Sequence, residues 1–247
     1  MVEDDTVEGR TMAAVSTERF PRRRNGWYYL NDRRYVSVTT VLQALAKPAL
    51  VPWAARTAAE AVLEDPATYS TAEAAASVIY RKRDAAADRG SLIHSLAEAT
   101  ARGADIDIVG IPEAARGYAR AFQAWTRTMQ PTALFTEANV YSDRHGYAGT
   151  TDLIAVFADK QVRLVDFKTT GDLYREVGLQ LEAYRQADFI VPHVGEPRRI
   201  PIPPVAETAA VLLRPDGTYE YRTMRGDLDV FLSLLRVWHW MRGKEVA

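Results

Sequence analysis

Apolar positions along this chain change their spacing near residue 130, and the change divides it into a helical part and a strand-bearing part. Between Ser37 and Met129 they recur every three or four residues within alanine-rich sequence, the period of amphipathic helices. From Leu134 onward they fall into short β-prone blocks punctuated by turn residues. Residues 1–20 are polar and expected to form a mobile tail, followed by a hairpin of Trp27–Leu30 and Tyr35–Val38 around Asn31-Asp32. Ser37 or Thr39 is placed to cap a helix running toward Ala46, which Pro48 interrupts. Further helices are expected through Glu60, over Ala72–Asp88 and Ser91–Ala101, and over Pro112–Met129.

In the second part, Leu134–Tyr141, the turn Ser142–Gly146 and Tyr147–Phe157 read as a hairpin. If Ser142 faces Tyr147, counting along both strands sets Glu137 opposite Asp152. A second turn at Ala158–Lys160 leads into Val162–Lys168, and facing Phe157 with Gln161 sets Asp166 opposite Asp152. Lys168, two positions past Asp166, shares that face because strand side chains alternate. A bulge, for which Gly149 is the candidate, would move Glu137 off it. A helix carrying Gln180 and Tyr184 follows, then a proline-punctuated connection over His193–Pro204. Glu207–Leu213 and Thr218–Met224 pair around Arg214–Gly217, and Leu228–Met241 closes the chain as an amphipathic helix. No internal repeat is present. Apolar residues on both faces of the strands, as in Leu164, Val165 and Phe167, imply helices on both sides of a mixed sheet. The expected fold is an α/β/α sandwich in one domain over residues 21–247, with a hairpin and helical elaboration at 21–130 and a core at 131–247.

Like charges facing each other in apolar strands need a compensating cation or a raised pKa. A divalent metal meets that need, and hard oxygen ligands suit Mg²⁺ or Mn²⁺. Such an ion would activate water and polarise a phosphoryl oxygen, with Lys168 stabilising the developing charge. Alone, an Asp-x-Lys tripeptide is commonly just an ion pair at a strand end. A lone helical histidine such as His94 is more often a surface or core residue, and Gln180 with Tyr184 at i,i+4 could be plain packing. Glu98, one turn beyond His94, and His145, in the turn, are assigned no role. What carries weight is the order: Gly149-Thr-Thr-Asp152, a turn, Asp166-Phe-Lys168, then Gln180-x-x-x-Tyr184.

That series resembles the PD-(D/E)XK nuclease superfamily, and within it the RecB-like exonucleases of phages and CRISPR systems. Arg89-Gly-Ser-Leu-Ile-His94 resembles the family's G-x-x-x-H element, and Ser37-Val-Thr-Thr-Val-Leu42 an N-terminal element of its phage exonucleases. The resemblance implies a restriction-endonuclease-like fold and metal ligation by His94, Asp152, Asp166 and the Phe167 carbonyl. It implies Lys168 as the catalytic lysine, Gln180 and Tyr184 as DNA contacts or supports, and Glu137 as a recurring acid of the preceding strand. Several relatives hold an iron–sulfur cluster through four cysteines. This chain has no cysteine, so it carries no thiolate-bound cluster, zinc site or disulfide.

With 247 residues, 47% hydrophobic and 26% charged, the composition is that of an ordinary globular protein and excludes a disordered or fibrous one. No apolar run approaches a membrane span and the start, Met1-Val-Glu-Asp-Asp5, is acidic; a cytoplasmic protein without membrane association is expected. A net charge of −1 gives no global basic signature, so DNA binding would rest on local groups: Arg22–Arg24, Arg33-Arg34, Arg81–Arg83 and Arg198-Arg199. Trp27-Tyr-Tyr29 beside the first group could stack on bases or simply pack. The expected activity is a Mg²⁺- or Mn²⁺-dependent DNA exonuclease of recombination, repair or phage DNA metabolism. Alternatives are an endonuclease or flap nuclease with the same site, a catalytically idle nucleic-acid-binding module, or a hydrolase of small phosphate esters. A helicase or annealing partner is conceivable. Strand polarity, single- or double-stranded preference and oligomeric state are not written in the residues.

Overall fold

The computed structural model describes residues 22–169, 171–192 and 197–243; the tail expected at 1–20 and the start of the connection at His193 lie outside them. Among the described residues nine strands form one mixed sheet: β1 (Arg22–Arg24), β2 (Trp27–Leu30), β3 (Arg33–Ser37), β4 (Thr132–Ser142), β5 (Tyr147–Val156), β6 (Val162–Lys168), β7 (Phe189–Val191), β8 (Glu207–Leu213) and β9 (Tyr219–Thr223). The main path runs β1-β2-β3-β5-β6-β8-β9, with β4 along β5 and β7 along β4. The described residues also form six helices: α1 (Val38–Leu42), α2 (Leu50–Glu64), α3 (Ala72–Ala101), α4 (Glu113–Met129), α5 (Arg175–Arg185) and α6 (Leu228–Trp240). No helix among the described residues is long and apolar enough to cross a membrane.

Strand alternation sorts the apolar residues into two cores, one on each face of the sheet. Ile154, Leu164, Ala210 and Leu212 pack with α1, α5 and α6. Their neighbours Leu153, Val165, Val211 and Leu213 pack with Ile93 of α3 and with Phe122 and Trp125 of α4. The fold is therefore α/β with both faces of a mixed sheet covered by helices. Leu153–Phe157 and Leu164-Val165 read as continuous apolar runs because each face has its own partner.

The feature that positions the site is a fork along β5. On one side β4 pairs with its whole length, from Ser142↔Tyr147 to Thr132↔Val156. On the other, β3 pairs only with Tyr147 and Ala148, and β6 only with Leu153–Val156. Between them Gly149–Asp152 has no strand neighbour on that side among the described residues.

Several expectations are corrected. Gly149 is not a bulge: it pairs in register with Val140, and the β4–β5 irregularity lies between Ala133 and Phe135. The glycine is required by packing, since a Cβ there would lie 2.1 Å from Cε1 of Tyr184. The segments Ala72–Asp88 and Ser91–Ala101 are one helix, because Gly90 has open space around it and nothing in the chain breaks the hydrogen-bond ladder there. Helix α1 ends at Leu42 rather than near Ala46, and Ser37 stands at its N-cap with its hydroxyl on Thr39, 2.8 Å away, instead of capping the backbone. Val38 belongs to α1, not to the hairpin. Strands β1 and β7 were not anticipated. β1 folds back on β2 through Asn25-Gly26, both at positive φ, a dipeptide that favours tight hairpins.

Candidate metal-binding cleft

A cleft of about 690 Å³ opens at the fork. Its floor is β5 and β6, which supply Thr150, Asp152, Asp166 and Lys168. One wall is α3, presenting Ser91, His94, Ser95 and Glu98, and the other is the hairpin, presenting Arg23 and Tyr28. Thr39 of α1, Glu137 and Asn139 of β4, and Gln180 and Tyr184 of α5 complete it.

The acids meet because the expected registers hold. Ala138↔Thr151 and Thr136↔Leu153 bracket Glu137 and Asp152, and Leu153↔Val165 stands one step before Asp152 and Asp166. Glu137 itself leaves the extended conformation, with φ at +49°, a region that costs a non-glycine residue energy. Its carboxylate reaches across to α3, where His94 Nδ1 lies 2.6 Å from Glu137 Oε1 and 3.5 Å from Asp152 Oδ1. A proton on Nδ1 thus sits among three donors whose ligand atoms lie within 4.8 Å of one another, the position a cation could take.

Asp152 is buried at 7% exposure, and its Oδ2 accepts the Phe167 N–H at 2.7 Å where the β5–β6 ladder ends. Burial and the neighbouring Asp166 charge hold its carboxyl far above the usual range, against the opposing pull of His94, Lys168 and the Phe167 N–H. Asp166 Oδ1 accepts the Gln180 amide at 2.9 Å. Asp166 Oδ2 is buried without an aligned hydrogen-bond donor, although the Lys168 ammonium stands 2.5 Å away as an ion pair. For Lys168, burial disfavours its charge but the Asp166 and Asp152 carboxylates outweigh it, so its pKa is raised and it stays protonated. His94 is pushed up to about 9, mainly by the hydrogen bond to Glu137, against the effect of burial and with help from Asp152 and Asp166.

The side chains expected at the site therefore converge. Phe167, expected to contribute only its backbone carbonyl, turns its ring to Phe122 and Trp125 in the opposite core and donates its N–H to Asp152. Gln180 and Tyr184 line the cleft in supporting positions: Gln180 orients Asp166, and the Tyr184 ring, 3% exposed, fills the space that Gly149 leaves. A polar chain from the Tyr28 hydroxyl to Thr150 Oγ1 at 2.8 Å, and from Thr150 to Asn139 Oδ1 at 2.9 Å, closes the hairpin side. Arg23, Tyr28 and Asn139 had no site assignment from sequence. The Asn25-Gly26 turn was the signal for Arg23, because it folds β1 over the cleft. Ser91, Ser95 and Glu98 follow from His94 by helical spacing.

His94, Glu137 and Asp152 supply hard oxygens and one imidazole within 4.8 Å of one another, a donor set that suits a divalent cation. The buried, unaligned Asp166 Oδ2 and the strained pairing of two buried carboxylates fit such an ion. No model of a known protein family matches this chain, and no curated protein matches it.

Proposed function

We propose that the protein is a divalent-metal-dependent nuclease of the PD-(D/E)XK type, acting on DNA as an exonuclease. The observation that carries this reading is the meeting, in one cleft, of Asp152, Asp166 with its unaligned Oδ2, Lys168 and His94, drawn from two strands and a helix. His94, Asp152 and Asp166 would hold the ion, with Glu137 as a further acid at the His94 side. Bound there, Mg²⁺ or Mn²⁺ would lower the pKa of a coordinated water and polarise the phosphoryl oxygen. The chain's own groups do the rest. Lys168, kept protonated by the two aspartates, offers its ammonium to the charge that develops on the phosphoryl oxygens. Gln180 fixes the rotamer of Asp166, and the Phe167 N–H fixes that of Asp152. Placing donors before the substrate arrives avoids reorganisation during the reaction.

The test is digestion of end-labelled linear DNA, single- and double-stranded, with Mg²⁺, Mn²⁺ or EDTA, beside Asp166→Ala and Lys168→Ala proteins. Metal-dependent loss of label that both substitutions abolish supports the reading, and the label lost first gives the polarity. Nicking of a covalently closed circle would reassign it as an endonuclease. DNA binding by the folded protein without cleavage in either metal would overturn the enzymatic reading in favour of a binding module.

A further inference from the structure

The hairpin face turned toward the cleft carries Arg23 and Tyr28; its other face carries cations and rings that the cleavage chemistry leaves unused. Strand pairing sets this division, since Arg23 pairs with Tyr28, whereas Arg24 pairs with Trp27 and Tyr29 with Arg34. Directly opposed residues share a face and successive residues alternate. On the second face the Arg34 guanidinium lies 4.8 Å from the Trp27 ring centroid. Trp27 meets Trp238 of α6 edge-on at 5.5 Å, and Arg242 lies 4.4 Å over Trp238.

Arg24, Arg34 and Arg242 are exposed, and among the described residues none of them forms an ion pair with a carboxylate. Elsewhere on the molecule Arg33, Arg163, Arg185, Arg214 and Arg222 are each neutralised by an acid. Because Trp238 is only 4% exposed, its ring is a fixed base under Arg242. A guanidinium laid on a ring keeps its N–H edge outward and loses little freedom on meeting a phosphate. Since β1 is the edge of the sheet, the cleft and this second face meet across one short strand carrying Arg23 on one side and Arg24 on the other.

We propose that the Arg34–Trp27–Trp238–Arg242 ladder, with Arg24, binds the sugar–phosphate backbone of a DNA strand where it passes over the β1 edge from the cleft. The proposal rests on the nuclease reading for the identity of the polyanion.

The experiment measures binding of a fluorescent oligothymidylate to the full chain in EDTA, where no cleavage occurs, across a salt series. Counterion release makes each single-strand phosphate contact contribute about 0.7 to the salt slope, or about five-fold in affinity at 0.1 M salt relative to 1 M. The double variant Arg34→Ala, Arg242→Ala should lose about twenty-five-fold in affinity at 0.1 M salt and flatten the slope by about 1.4. Arg34→Lys, Arg242→Lys should keep the slope while binding several-fold more weakly, and it carries the test if the alanine protein does not fold. Unchanged affinity and slope in the alanine variant, or unchanged affinity in the lysine variant, overturns the proposal. So does wild-type protein that binds no oligothymidylate, or poly-glutamate competing equally well, which would assign the face to an acidic protein. Metal-dependent cleavage of a dinucleotide, too short to reach the ladder, judges the nuclease reading separately and should be the same in wild type and both variants.

Discussion

Replacing Asp152 by asparagine removes a charge and leaves the shape and the acceptor for the Phe167 N–H in place. In the metal-free protein this carboxyl is pushed up to about 7 from an ordinary 3.8. At about 1.4 kcal/mol per pH unit, holding it ionised costs the fold up to roughly 4 kcal/mol. The strain is shared with Asp166, so the gain expected from Asp152→Asn is roughly 2–4 kcal/mol, or on the order of 5–15 °C in melting temperature for a chain of this size. The sign follows from linkage. Below the unfolded carboxyl's pKa both states are protonated and the two proteins should differ little. As pH rises toward 7 the unfolded wild type ionises freely and the folded one does not, so the advantage of the variant opens across that window and is constant above it. Metal should narrow the gap and, at about 1,000 times its dissociation constant, where it stabilises wild type by about 4.1 kcal/mol and the variant far less, reverse the order. Thermal melts in EDTA and in Mn²⁺, from pH 4 to 8.5, check this. A variant less stable than wild type at pH 8 in EDTA, or a gap indifferent to pH, would refute the idea that Asp152 is a strained, metal-seeking carboxylate.

Glu137→Gln removes the main support of the His94 proton, so the His94 titration followed by NMR should fall from about 9 toward 6.5. Its raised pKa stabilises the fold fully below about 6.5 and loses that effect as pH climbs through 9; urea titrations should find the variant's deficit largest at pH 6 and gone above pH 9. Because ligation must displace the same proton, apparent Mn²⁺ affinity in wild type should rise with pH up to about 9, with calorimetry in two buffers showing proton release; pH-independent affinity would exclude His94 as a ligand. Gly149→Ala drives a methyl to within 2.1 Å of the Tyr184 ring, so a loss of roughly 1–3 kcal/mol is expected, shrinking toward zero in a Tyr184→Ala background. Strict additivity of the two substitutions would count against that close approach.

The parts of the site legible in the sequence are those that short-range counting can reach. Two tight turns set the β4–β5 and β5–β6 registers, and alternation did the rest for Asp152, Asp166 and Lys168. Helical spacing placed Gln180 and Tyr184 on one face of α5. Long-range geometry was out of reach. Nothing local to Glu137 announces that its backbone turns to positive φ and delivers its carboxylate to His94, which is 43 residues earlier in the chain. Gly149 carried a correct signal read as the wrong device, since a glycine in a strand marks either a bulge or a close approach, and only the Tyr184 ring decides between them. The Asn25-Gly26 turn was legible but unused, and with it went β1 and the hairpin wall of the cleft. Helix α3 also runs unbroken through Arg89-Gly90, where burial of Ile93 and Ala97 against the sheet outweighs one glycine's propensity cost.

The fork along β5 also decides what kind of object the cleft is. Backbone pairing joins β3 to β5 only at Val36↔Tyr147 and Ser37↔Ala148. The rest of the attachment is made by side chains, among them the Tyr35 and Tyr28 rings set edge-on against Tyr141, the Tyr28 hydroxyl on Thr150, Trp27 against Trp238, and Arg33 and Tyr35 on Asp143. A gap between two strands locked in one ladder would have its width fixed by hydrogen-bond spacing and would be the same for any sequence. Here the aperture is set by side-chain contacts, chiefly those of a few aromatic residues, so it can be widened or narrowed by substitution without touching a single acid on the floor.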